Sequence, residues 1–120
     1  MLECPAPDLD ALWLSADLFW YFPHPLLHET WCRTVTESMA HGLSAVVAAH
    51  GAMRFQVVDG ESGRVVDSPQ TCIAALLELS ADADLRRRFG AAARWRAASF
   101  YERTREDLVR TYHSIAARPT

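Results

Sequence analysis

The 120-residue chain contains no lysine. All twelve of its basic side chains are arginines, so no amine is available for Schiff-base chemistry and every side-chain cation is a planar guanidinium. Cysteine is sparse as well: Cys4, Cys32 and Cys72 are odd in number, widely spaced and free of any CxxC pair. That pattern excludes a disulfide framework or a zinc finger and points to a reducing compartment. No run of about 18 apolar residues occurs, and the N-terminal segment MLECPAPDLD carries acids and two prolines where a signal peptide would be basic and then apolar. The expected location is cytoplasmic. With only 5 glycines and 6 prolines, half of its residues hydrophobic and 22% charged, the chain is neither collagenous nor disordered. A chain of this size buries roughly two thirds of its unfolded surface, enough for one domain but not for two lobes with a cleft between them.

The net charge of −3 hides an asymmetry. Residues 1–85 hold 3 Arg against 12 acids, whereas residues 86–120 hold 9 Arg against 3 acids. The cluster Arg86, Arg87, Arg88, Arg94 and Arg96 reads as the solvated face of a helix whose other face carries Leu85 and Phe89. The functional alternative is attraction to an anionic membrane face, which would make the protein peripheral to the inner membrane surface. No base-reading pattern is present, and Trp95, Phe100 and Tyr101 are expected to pack a helix junction rather than stack on nucleotides; no nucleic-acid partner is expected.

Apolar runs and turn residues alternate along the chain. Residues 8–16 suit a short helix with Leu9, Leu12 and Trp13 on one face, and 17–22 (DLFWYF) suits a buried strand. Pro23 and Pro25 forbid a helix in the loop that follows. A helix is expected from Thr30 to His41, closed by Gly42, then a second strand over 44–49 (SAVVAA) and a very short third strand at Val65-Val66. Ser68-Pro69 opens another helix, a further one starts near Asp82, and Ser99-Phe-Tyr-Glu102 fits the capping box of a third. Such strand–loop–helix repeats define an α/β class, a partial Rossmann-like parallel sheet with flanking helices. Ligands bind such sheets beyond the carboxyl ends of the strands, so the loops 22–29 and 49–58 are the ones to watch.

The first of these loops leads into Glu29 and Glu37, separated by seven residues. Carboxylates accept hydrogen bonds from sugar and ribose hydroxyls. Between them, the amides of Trp31, Cys32 and Arg33 would open a helix, where unpaired N–H groups and the helix dipole favour a phosphate or diphosphate. The Arg33 side chain would add a cation. A ligand with hydroxyls at both ends and an anion between them is a nucleotide sugar. His24, His28 and Cys32 are spaced by four, but the prolines break the helix that would align them and no fourth ligand is evident, so no metal is expected. His50, followed by Gly51 at a strand end, is placed to border the same site.

The run Pro25-Leu-Leu-His-Glu29-Thr-Trp-Cys-Arg-Thr-Val-Thr-Glu37-Ser-Met-Ala-His-Gly42-Leu-Ser-Ala-Val-Val resembles the E-x7-E region of retaining glycosyltransferases with the GT-B fold, the large family 4 in particular. Gly51-Ala-Met-Arg-Phe-Gln-Val-Val-Asp-Gly60, followed by Glu-Ser-Gly63-Arg-Val-Val66, is similar to that family's G-G-x-P-E-x-V-x-D-G-x-N-G-x-L-V. The resemblance runs from about Leu9 to Tyr112 and implies the C-terminal, donor-binding lobe of a transferase that moves a sugar from a nucleoside diphosphate with retention. By that resemblance Glu29, Thr30, Trp31, Cys32, Arg33 and Glu37 contact the donor. Glu29 holds sugar hydroxyls beside the reacting carbon, Glu37 holds the ribose, and the amides of Trp31 and Cys32 cradle the diphosphate. His50 and Gly51 border it. No cofactor or metal is implied, because the helix dipole, amides and guanidinium groups neutralise the leaving diphosphate.

The sequence also departs from the pattern. Phe55 stands where the family has an acid, Ala52 replaces a glycine, Leu26 a serine, and Ser44-Ala45 the residue and proline before the strand. The resemblance further implies that residues 1–120 form a single domain without an acceptor-binding N-terminal lobe and without the first strands of the donor lobe. From this come three expectations: no turnover from the isolated chain, need of a missing lobe or companion subunit, and self-association through an exposed sheet edge. The competing reading is a non-catalytic α/β binding module derived from such a lobe.

Overall fold

The computed structural model describes residues 8–117 and 119. Cys4 and the segment 1–7 therefore lie outside the described residues. The elements run α1 (Leu9–Ser15), β1 (Phe19–Tyr21), α2 (Arg33–Ala40), β2 (Ala45–Ala48), α3 (Met53–Gln56), β3 (Gly63–Val66), α4 (Pro69–Ala81) and α5 (Ala83–Ala116). The three strands form one parallel sheet in the order β1-β2-β3, with Phe19 paired to Ala45 and Ala45 to Gly63.

β2 is the centre of the molecule, buried at every position because helices cover both faces of the sheet. Its side chains divide between two cores. Ala45, Val47 and Ala48 join Cys32, Val35 and Met39 of the α2 segment, Met53 and Val57 at α3, and Ala93 and Ala97 of α5. Val46 points the other way, into Val66, Cys72, Ala75, Leu79, Leu85 and Phe89, the cluster beneath α4 and the start of α5. The outer edge of β1 pairs with no strand among the described residues, and Trp20 on it is exposed.

Helix boundaries follow local chemistry. Asp8 caps α1 by accepting the Ala11 N–H at 3.2 Å. Gly42, at φ +76, closes α2 as a C′ residue: its own N–H reaches the Met39 carbonyl and the Leu43 N–H reaches that of Ser38. Ser68 and Thr71 cap the start of α4 reciprocally, and Asp82 caps α5 by accepting from the Leu85 N–H at 2.9 Å. Among the described residues no helix is long and apolar enough to cross a membrane.

Two expectations fail here. Ser99 does not cap a new helix, because α5 runs unbroken through it for 34 residues and the Ser99 hydroxyl donates to the Arg96 carbonyl one turn back. Nor is there a helix junction for the aromatics to pack, so Trp95 and Tyr101 are 69% and 65% exposed and only Phe100 joins the core. The arginine cluster is also less free than a solvated face. Arg86 donates to the carbonyls of Leu79 and Ser80 and so caps the end of α4, and Arg96 donates to those of Phe55 and Gln56.

Candidate functional site

The parallel strands end at Tyr21, Ala48 and Val66, which brings the segments 22–32 and 49–57 to one edge of the sheet. Glu29 lies in the first. Its carboxylate Oε1 accepts from the Tyr21 hydroxyl at 2.9 Å, which fixes the acid against the last residue of β1. The contact holds the phenol in its neutral form: donation to Glu29 is the main cause and burial the next, and both raise the Tyr21 pKa above its ordinary 10.0.

The second segment grips the first. Gly51 takes φ +64, and a Cβ built there would lie 2.8 Å from the Glu29 carbonyl oxygen, so the contact admits only glycine. The next residue, Ala52, donates its N–H to that same carbonyl at 2.9 Å. His50, two residues past the end of β2, has its Nε2 buried without a hydrogen-bond partner among the described residues.

A residue at a variable position of the second motif completes the grip. Gln56, fully buried, accepts the Cys32 N–H on Oε1 at 3.1 Å and donates from Nε2 to the Cys32 carbonyl at 2.9 Å and the Thr36 hydroxyl at 2.8 Å. The backbone behind it is held in turn by Arg96, whose Nε donates to the Gln56 carbonyl at 2.7 Å and whose Nη2 donates to that of Phe55 at 2.6 Å. Sequence reasoning missed both. Gln56 and Cys32 are 24 positions apart, and only the glycine-started turn that becomes α3 brings them together.

This network corrects the assignment of the helix amides. α2 starts at Arg33 rather than Thr30, with Cys32 as a cap residue that has no side-chain capping bond. The Cys32 amide is therefore engaged by Gln56 and is not open to a diphosphate. The amides without an intrahelical partner at the start of α2 are those of Arg33, Thr34 and Val35. Trp31 stands before the helix, with its ring edge-on to Phe100 at 5.2 Å, and Thr30 is exposed. Glu37, half-buried in the second turn of α2, accepts from the Arg33 Nε at 3.1 Å, an exposed i,i+4 pair. His24 and His28 lie in the loop before α2, off any helix, and among the described residues no three His, Cys, Asp or Glu side chains are grouped to hold a metal ion.

The arrangement places one oriented carboxylate, a second carboxylate two turns along and a helix start at the carboxyl edge of an open parallel sheet. That is the ligand-binding edge of a Rossmann-like lobe. The model of the glycosyl transferases group 1 family matches residues 1–96, and the chain belongs to that family. It is 37% identical over 95 residues to a GDP-mannose-dependent alpha-mannosyltransferase of Mycolicibacterium smegmatis, covering 77% of this chain and 24% of that protein. It is 31% identical over 87 residues to a trehalose synthase of Pyrococcus horikoshii, covering 72% and 19%. To a D-inositol 3-phosphate glycosyltransferase of Corynebacterium urealyticum it is 30% identical over 118 residues, covering 96% and 27%. The chain thus spans about a quarter or less of the length of these relatives. The sucrose-phosphate synthase of Thermosynechococcus elongatus shares the fold, with a TM-score of 0.77 at 23% identity over 91% of this chain and 28% of that one. The fold is the GT-B lobe expected from the motifs, and the family is one of transferases.

Proposed function

We propose that these residues form the donor-binding part of a retaining glycosyltransferase that uses a nucleoside diphosphate sugar. The observation that carries the reading is Glu29: its carboxylate is oriented by Tyr21 and its carbonyl is held against Gly51 and Ala52, at the edge where such sheets bind ligands. In this reading Glu29 accepts from hydroxyls of the donor sugar next to the reacting carbon. Glu37 accepts from the ribose, exchanging its exposed contact with Arg33 for ligand hydroxyls. The diphosphate lies across the start of α2, where the amides of Arg33, Thr34 and Val35 face developing negative charge without reorganising and the Arg33 guanidinium, released from Glu37, adds a cation. One relative is named for its dependence on GDP-mannose, which supports a nucleotide-sugar donor. The acceptor lobe would come from the rest of a longer protein or from a companion subunit.

The test is calorimetric titration of the chain with UDP, GDP and ADP and their sugar conjugates, repeated on Glu37→Ala. One nucleotide is expected to bind, even at millimolar strength, where the free energy is about −4 kcal/mol, and Glu37→Ala is expected to abolish the heat. Absence of binding to every nucleotide would overturn the reading. The alternative, a non-catalytic module, draws on one observation: Gln56 already occupies the Cys32 amide that the family resemblance gives to the diphosphate.

A further inference from the structure

We propose that Gln56 is the positioning residue of this site: its carboxamide fixes the backbone between Glu29 and α2, and Arg96 acts through it. The inference rests on the donor-binding reading for its functional consequence but not for its geometry. The stretch 29–32 is held at both ends by one short segment. At Glu29 the holding groups are Gly51 and the Ala52 N–H; at Cys32 they are the two ends of the Gln56 side chain. Each atom of the carboxamide is used. Oε1 takes the amide immediately before α2, and the two protons of Nε2 go to the Cys32 carbonyl and the Thr36 hydroxyl, so the first turn of α2 cannot rotate without breaking a buried bond.

The bond pattern also dictates the side chain. A glutamate of the same shape loses both Nε2 donors and sets a carboxylate oxygen against the Cys32 carbonyl; leucine loses all three bonds. Glu29 and Glu37 flank the clamped residue, one before it and one a turn and a half after it, so their separation depends on where Cys32 sits. Arg96 supplies the outer brace from α5, across 40 positions of sequence, by donating to the backbone on which Gln56 is mounted.

Cys32 and Cys72 make the test internal. Both thiols are buried, at 2% and 4% exposure, but they belong to opposite cores, Cys32 beside Gln56 and Cys72 beneath α4. In a Cys4→Ser background, the labelling rates of the two thiols by a small disulfide reagent are followed by peptide mass spectrometry for wild type, Gln56→Glu and Arg96→Gln. Gln56→Glu is expected to raise the Cys32 rate at least tenfold with Cys72 unchanged, and Arg96→Gln to raise it severalfold in the same selective way. Equal acceleration at both thiols would show a general loss of stability and overturn the proposal, as would an unchanged Cys32 rate. If Gln56→Glu does not fold, the selectivity of Arg96→Gln decides.

The functional arm uses the nucleoside diphosphate that wild type binds. A tenfold or greater rise in Kd for Gln56→Glu, with Cys72 still protected, supports positioning; an unchanged Kd overturns it. If wild type binds none of the three nucleotides, the donor-binding reading falls and takes the positioning role with it, whereas selective labelling would still establish the clamp.

Discussion

The two halves of α5 share one helix and one kind of composition, yet they live in different surroundings. From Ala83 to Ala97 the helix buries Leu85, Phe89, Gly90, Ala93 and Ala97. From Tyr101 to Ala117 every residue is exposed, although Leu108, Val109, Tyr112 and Ile115 are as apolar as anything in the first half. The buried positions that set the approach to the body are small. Gly90 lies so near Gly42, the turn that ends α2, that a Cβ there would overlap its carbonyl oxygen. Among the described residues the second half has no such neighbour and is carried by its own backbone hydrogen bonds and by local pairs such as Arg110 with Asp107 at 3.6 Å. Helical conformation and tertiary burial are thus separate achievements, and only the first half of α5 has both.

Substitutions can break or sharpen this contrast. Gly90→Val drives a branched side chain into backbone that cannot move aside, and is expected to cost more than about 4 kcal/mol in urea unfolding, effectively unfolding the domain. A wild-type midpoint would show that the first half of α5 is not what holds the body together. Leu79→Ala, in the cluster that Leu85 and Phe89 complete, is expected to cost about 3 kcal/mol by the same measurement, from lost burial and the cavity left behind.

A smaller effect concerns the ion pair next to that cluster. Arg64 donates through Nε and Nη2 to both oxygens of Glu78, and its guanidinium lies over the Phe89 ring. The bonds from Arg64 hold the Glu78 pKa below its ordinary 4.5, and they raise that of Arg64. A carboxylate whose folded pKa is depressed contributes stability above its unfolded pKa and loses it as pH falls through the folded value. Stability should therefore decline below about pH 4.5, and Glu78→Gln should flatten part of that decline. Because Glu78 is substantially exposed, the difference at neutral pH should be under about 1 kcal/mol. The Tyr21 phenol obeys the opposite sign: its raised pKa means that its contribution is intact below pH 10 and lost as pH rises through the folded value. Ultraviolet titration should show the Tyr21 transition move to lower pH in Glu29→Gln, which removes the carboxylate charge while burial remains. Smallest of all, Leu108→Ala in the exposed half of α5 should change the urea midpoint by no more than about 0.5 kcal/mol in free energy. A larger loss would mean that the far half of the helix is covered in solution.

Much of the fold was legible because its signals are local. The runs DLFWYF and SAVVAA, bounded by proline and glycine, became β1 and β2, and Ser68-Pro69 and Asp82 opened helices where their side chains can accept backbone N–H groups. Glu29 and Glu37 were found by spacing and by the family's motif. What misled were signals overruled at a distance. Ser99 followed by Glu102 has the form of a cap, but the packing of Ala97 and Phe100 keeps the backbone helical, and the hydroxyl turns to the preceding turn instead. Cys32 offers no side-chain cap, so nothing local marked the start of α2 at Arg33.

The sequence by itself determined the class of fold, the order of the strands along the chain, the C-terminal end of α2 at Gly42, the start of α4 at Ser68-Pro69, and the pair of carboxylates that defines the candidate site. Each of these depends on residues within a turn or two of one another, where spacing alone dictates which groups can meet. The tertiary structure decided the rest: that Gln56 and Arg96 hold the start of α2, that the Cys32 amide is occupied, and that α5 is one helix with one buried half. The bonds made by Gln56 and Arg96 join residues 20 to 41 positions apart. Only the parallel sheet, which stacks the loops after β1 and β2 side by side, brings such partners within hydrogen-bonding reach.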